Sequence, residues 1–175
     1  DHQHQLEKLG KVNFQTSCSP QAHATFTRGM TLLHSFEYPQ AGAAFNEAAG
    51  ADPTCSIAHW GVAMSLYHPL WAPPSKAELE RANAALAKAE AAPAKSERER
   101  DYVAAVATYY RDSDKLDHKA RALAYNEAMA ALHKRYPADR EAAVFFALSQ
   151  IAAGTQDQDP NFSREKEAAA ILNAV

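Results

Sequence analysis

Met30 and His34 lie four residues apart, and Met64 and His68 repeat that spacing 34 residues later (30 to 64). On a helix, a separation of four puts both side chains on one face, one turn apart. Thioether and imidazole donors suit copper, with methionine favouring Cu(I). Stacked helices would therefore bring Met30, His34, Met64 and His68 together as a copper site, and His2 and His4 would add ligands if Asp1 is a free terminus. The simpler reading of the same histidines is electrostatic: an imidazole in a helix's last turn answers its carbonyls and the negative end of its dipole. Cys18 and Cys55 leave three chemistries open: a disulfide, two buried thiols, or a metal role with His23 or His59. Cys55 and His59 alone lack the second matched pair of a zinc site.

Signatures of catalysis are missing from the sequence. There is no glycine-rich phosphate loop, no G-x-S-x-G, no H-E-x-x-H and no C-x-x-C-H. Glu97, Arg98, Glu99, Arg100 and Asp101 read as a solvated, capped helix start, not as acid–base machinery. His118 and His133 sit among charges and read as exposed, whereas Tyr102, Tyr109, Tyr110 and Tyr125 read as core or rim aromatics. The expectation is a protein that is not an enzyme.

The elements that position these residues are helical. Alanine dominates the 175 residues, glycine is scarce (6), and the length suits one domain with a real core. The net charge of −3, with Lys and Arg scattered among acids, argues against nucleic acid. No apolar run reaches the ~18 residues of a membrane span. The chain starts at Asp1 without Met or a signal peptide, so the expectation is a leader already removed or a trimmed chain.

After an irregular segment over 1–18, Ser19 and Pro20 open a first helix to Ser35. Pro39 restarts a second, ending near Gly50, and Asp52-Pro53 turns into a third through Cys55, Trp60 and Tyr67. The prolines of 69–74 make a stiff loop bearing Trp71. Ser75/Glu78 and Ser96/Glu99 are capping boxes for the fourth and fifth helices. The sixth spans about 116–135, the seventh about 139–153, a polar loop covers 154–161, and the eighth starts near Ser163.

Gly29, Leu32, Leu33 and His34 return as Ala63, Leu66, Tyr67 and His68, again 34 residues on (29 to 63). That period marks stacked helix hairpins. The series Gly29, Leu32, Tyr38, Ala41, Phe45, Ala48, Pro53, Ala58, Ala63 and Leu66 resembles the tetratricopeptide repeat. More narrowly, Gly29 to Tyr38, His59-Trp60-Gly61 and Tyr67-His68-Pro69-Leu70-Trp71 are similar to a group of exported bacterial tetratricopeptide proteins of unassigned function.

The resemblance implies an all-α, right-handed solenoid of about four antiparallel helix hairpins over 19–175, continuing past Val175 in longer members. It implies a concave groove lined by the first helix of each pair: His23, Phe26, Met30, Leu33 and His34, then Ile57, Trp60, Met64, Tyr67 and His68; the simpler reading of the same aromatics and methionines is inter-helix core. Proline holds the Trp71 ring in place, which reads as a rim contact. The implied function is binding or assembly of a protein or peptide partner, periplasmic or extracellular, without a cofactor; copper binding is the alternative. Stacking sets Cys18 and Cys55 side by side, which favours their disulfide. An open C-terminal end with Ala168, Ala169, Ile171 and Leu172 would allow self-association. Thr25, Arg28, the 69–74 loop and an out-of-register third pair depart from the family pattern.

Overall fold

A computed structural model describes residues 10–93 and 96–175, and among them the chain forms eight α-helices and no strand. These are α1 (Pro20–His34), α2 (Tyr38–Ala51), α3 (Ser56–Met64), α4 (Lys76–Ala91), α5 (Glu97–Tyr110), α6 (His118–Arg135), α7 (Arg140–Asp157) and α8 (Ser163–Ala174). They fall into two compact units. One holds the chain through Leu66 together with Glu80–Val103, and the other holds Tyr67–Leu79 together with Ala104–Val175.

Local chemistry sets most helix starts. The Ser19 hydroxyl accepts from the Ala22 N–H at 3.3 Å, with Pro20 in the first turn. Asp117 caps α6 by accepting from the Ala120 N–H at 2.8 Å, and Asp139 caps α7 by accepting from the N–H groups of Glu141 and Ala142. Ser75 and Glu78 close a reciprocal box: the carboxylate accepts from the Ser75 N–H at 2.7 Å, and the Ser75 hydroxyl accepts from the Glu78 N–H at 3.3 Å.

Four expectations need correction. The third helix stops at Met64, short of Tyr67, and Pro69 bars any continuation through His68. The seventh runs on through Gly154 to Asp157 and ends at Gln158 in the left-handed region (φ 52°). Gly154 is therefore inside the helix and not a loop residue, and it lies against the Glu165 carboxylate of α8. The second capping box is only half made. Glu99 donates its N–H to the Ser96 hydroxyl at 3.4 Å, but its carboxylate turns away from solvent and accepts from the N–H and hydroxyl of Ser17, each at 2.6 Å. Finally, His118 and His133 are half-buried: one bonds the Tyr109 hydroxyl through Nδ1 at 2.8 Å, and the other stacks on Phe146.

In the first unit α1 packs on α2 and α3, and α2 packs on α3. Phe45 of α2 is the wedge. Its ring fills a slot formed by Gly29 of α1 and Gly61 of α3, where a methyl at either glycine would meet the ring carbons under 3 Å away. The irregular segment before α1 belongs to this core. Phe14 is buried among Phe26, Trp60 and Tyr102, with ring centroids 5.3, 5.7 and 5.0 Å away, and the Arg98 guanidinium lies 4.2 Å above it. Cys18 and Cys55 are joined in a disulfide, tying the start of α1 to the start of α3.

In the second unit α6 packs on α7 and α7 on α8. Tyr67, Tyr109, Tyr110 and Tyr125 are all buried there, as is Tyr102 in the first unit, so these five tyrosines are core residues. Arg164 of α8 reaches under the surface to Asn126 of α6 and Gln150 of α7, donating to their side-chain oxygens at 2.8 and 2.9 Å.

Candidate functional site

The residues proposed for a concave groove divide by burial. Phe26, Met30, Leu33, Ile57, Trp60, Met64 and Tyr67 are all buried, so little of their surface is open to a partner. His23, His34 and His68 are half-buried, and the His23 Nδ1 is 2.9 Å from the Thr16 hydroxyl. Trp71 is 59% exposed on its proline loop. Of the proposed copper donors, both thioethers lie in the interior of the first unit, while His68 belongs to the second. His2 and His4 lie outside the described residues. Among the described residues, no three or more His, Cys, Asp or Glu side chains gather to hold a metal ion.

An open site in the first unit lies between α2 and α4, with α3 beneath. It is a cleft of about 830 Å³. The sequence leaves it open because both walls are built from side chains too small to fill the space between helices: Ala49 and Gly50 on α2, and Ala84, Ala85 and Ala91 on α4. Val62 and His59 of α3 make the floor, and Pro53, Ala92 and Pro93 border it. The start of α3 is tied to α4 by the Ser56 hydroxyl, which donates to the Ala89 carbonyl at 2.7 Å.

The polar groups of the cleft share one sign. Arg81 and Lys88, both exposed, stand on the α4 wall, and no Asp or Glu lines the cleft. Neither cation forms an ion pair among the described residues. Burial lowers the pKa of His59 below its usual 6.5; a hydrogen bond to the Pro53 backbone opposes this, and the charge of Lys88 adds to it. His59 therefore presents a neutral ring to the cleft at neutral pH, leaving the two α4 cations as its charge. Asn46 donates to the Gly42 carbonyl at 2.8 Å, which fixes its amide on the α2 wall. Two cations on a wall of small residues attract anionic groups.

Sequence reasoning missed this cleft. The one binding role it considered for His59 was as a metal partner of the cysteines. A signal was present: Arg81, Ala84, Ala85, Lys88 and Ala91 follow the i, i+3, i+4, i+7, i+10 spacing of one helix face, alternating cation with alanine.

Comparison of the chain with protein-family models, with curated proteins and with solved structures finds no match. Among the described residues no helix is long and apolar enough to cross a membrane.

Proposed function

We propose that this chain is a non-enzymatic binding module of tetratricopeptide-like helix hairpins, exported to an oxidising compartment, whose α2–α4 cleft takes an acidic segment of a protein partner. Support for the hairpin reading comes from the 34-residue echo and from the packing of α1, α2 and α3 on one another. Support for export comes from the Cys18–Cys55 disulfide, since such bonds persist mainly outside reducing cytosol. The observation that carries the function is the cleft, with two exposed cations, no lining acid and walls of alanine and glycine.

The test is fluorescence anisotropy with a labelled acidic peptide and its Glu→Gln analogue. The acidic peptide binds and the neutral one does not, and affinity falls as salt screens the exposed charges. The double variant Arg81→Glu, Lys88→Glu weakens binding about tenfold or more, because each exposed pair is worth roughly 0.2–1 kcal/mol and reversal turns attraction into repulsion. Equal binding of both peptides, or of both proteins, would remove the cleft from the function.

A further inference from the structure

On that reading of the cleft, we infer its ligand geometry: an extended, polyproline-II segment carrying two carboxylates three residues apart, one meeting Arg81 and the other Lys88. The inference rests on the positions of the two cations on α4 and on what lies between them.

Arg81 and Lys88 are seven residues apart on an uninterrupted helix. Seven residues are nearly two full turns, so both side chains leave the same face, about 10 Å apart along the axis. Between them the wall is Ala84 and Ala85, and across the cleft it is Ala49 and Gly50, so no bulky side chain divides the path from one cation to the other. A ligand with two anionic groups at about this separation engages both cations at once.

The conformation follows from the same walls. A docked amphipathic helix needs hydrophobic pockets for anchors at i, i+3, i+4 and i+7. The apolar lining here is Ala, Gly and Pro with one Val, which offers no socket for a large anchor. A slim extended chain suits it. A β-strand returns to the same face every second residue, placing like-facing groups about 6.7 or 13 Å apart, neither matching the cations. A polyproline-II chain returns every third residue at about 3.1 Å per residue, which places like-facing carboxylates about 9 Å apart. Prolines between the acids would hold that conformation before binding and lower its entropic cost.

The experiment is a spacing series on the intact, oxidised chain. Three labelled proline-rich peptides of equal composition carry two glutamates at i and i+1, at i and i+3, or at i and i+6, and anisotropy gives each Kd. The i, i+3 peptide binds at least fivefold tighter than the others, and Lys88→Ala, at an exposed site that leaves folding intact by circular dichroism, brings all three to one affinity. Equal affinity for the three spacings in the unaltered protein overturns the two-point geometry while leaving a cationic cleft for acidic ligands. Absence of binding by every acidic peptide overturns both. Displacement of the i, i+3 peptide by inorganic phosphate at a comparable concentration also overturns the inference, because one point charge would then suffice.

Discussion

Replacing Gly61 with alanine sets two effects of opposite sign against each other, and the structure decides the outcome. Gly61 lies inside α3, where alanine is favoured over glycine by roughly 1 kcal/mol on helix propensity. Against this, a methyl at 61 would sit 2.5 Å from Cγ and 2.7 Å from Cε1 of Phe45, inside any tolerable contact. The clash reaches the root of the ring, so rotating its far edge gives no relief. Phe45 has nowhere to go, being fully buried with the Phe26 ring 5.4 Å away and Gly29 on its other flank. Overpacking of this kind costs about 1–3 kcal/mol or more, and displacing the wedge between three helices belongs at the upper end. The net expectation is a loss of about 2 kcal/mol. Gly50→Ala is the internal control: it is also within a helix, but has nothing within 4 Å of the new methyl, and it should gain up to about 1 kcal/mol. Urea unfolding monitored by circular dichroism reads both, through a shift in midpoint at constant slope. A Gly61→Ala protein as stable as the parent would mean that Phe45 is not the wedge joining α1, α2 and α3.

Other expected outcomes concern the N-terminal segment and pH. Glu99→Ala leaves the N–H and hydroxyl of Ser17 without their acceptor, so it should lose about 1–3 kcal/mol and speed limited proteolysis around residues 10–18. Cys18→Ala with Cys55→Ala opens a crosslink of sequence separation 37, worth about 4 kcal/mol in the chain-entropy picture, and chemical denaturation should show a loss of that order. His59 and His118 both have pKa values lowered by burial from the usual 6.5, so the folded state prefers them neutral. The unfolded chain takes up their protons first as pH falls, so their contribution is fully present above about pH 6.5 and is lost as pH drops through the folded values. A pH series of denaturation midpoints should decline below that point, and His118→Gln should flatten part of the decline.

Much of the local architecture was legible because it is encoded within a turn of chain. Ser19-Pro20 and the Ser75/Glu78 box act over two to four residues, and a sequence displays such pairs directly. Phe14 and Glu99 were not legible in the same way. Their partners lie across the chain: Ser17 and Glu99 are 82 residues apart, and Phe14 completes its aromatic cluster only when Tyr102 arrives. An acid in a charged run reads as solvated until its long-range partner is known. Gly154 was misread because a glycine before polar residues looks like a helix stop, whereas the helix runs on through it to Asp157.

The site was the least legible part. Met and aromatic residues at helical spacing are drawn equally by a core and by a groove, and Met30, Trp60 and Met64 turned out buried. The α2–α4 cleft arises instead from what is missing on two separate helices. Small residues on α2 and α4 become a cleft only once α3 sets the two against a common floor. The cations alternating with alanine on α4 could have been read as a face, but nothing in the sequence showed that the opposite wall was equally bare.

The most direct measurement is NMR chemical-shift mapping of the isotope-labelled protein during titration with an acidic, proline-rich peptide. Binding in the cleft predicts saturable shifts at Asn46, Gly50, His59, Val62, Ala85 and Lys88, diminished by added salt and absent in the Arg81→Glu, Lys88→Glu variant. Shifts confined to Trp71 and its proline loop, or no saturable shifts at all, would contradict it.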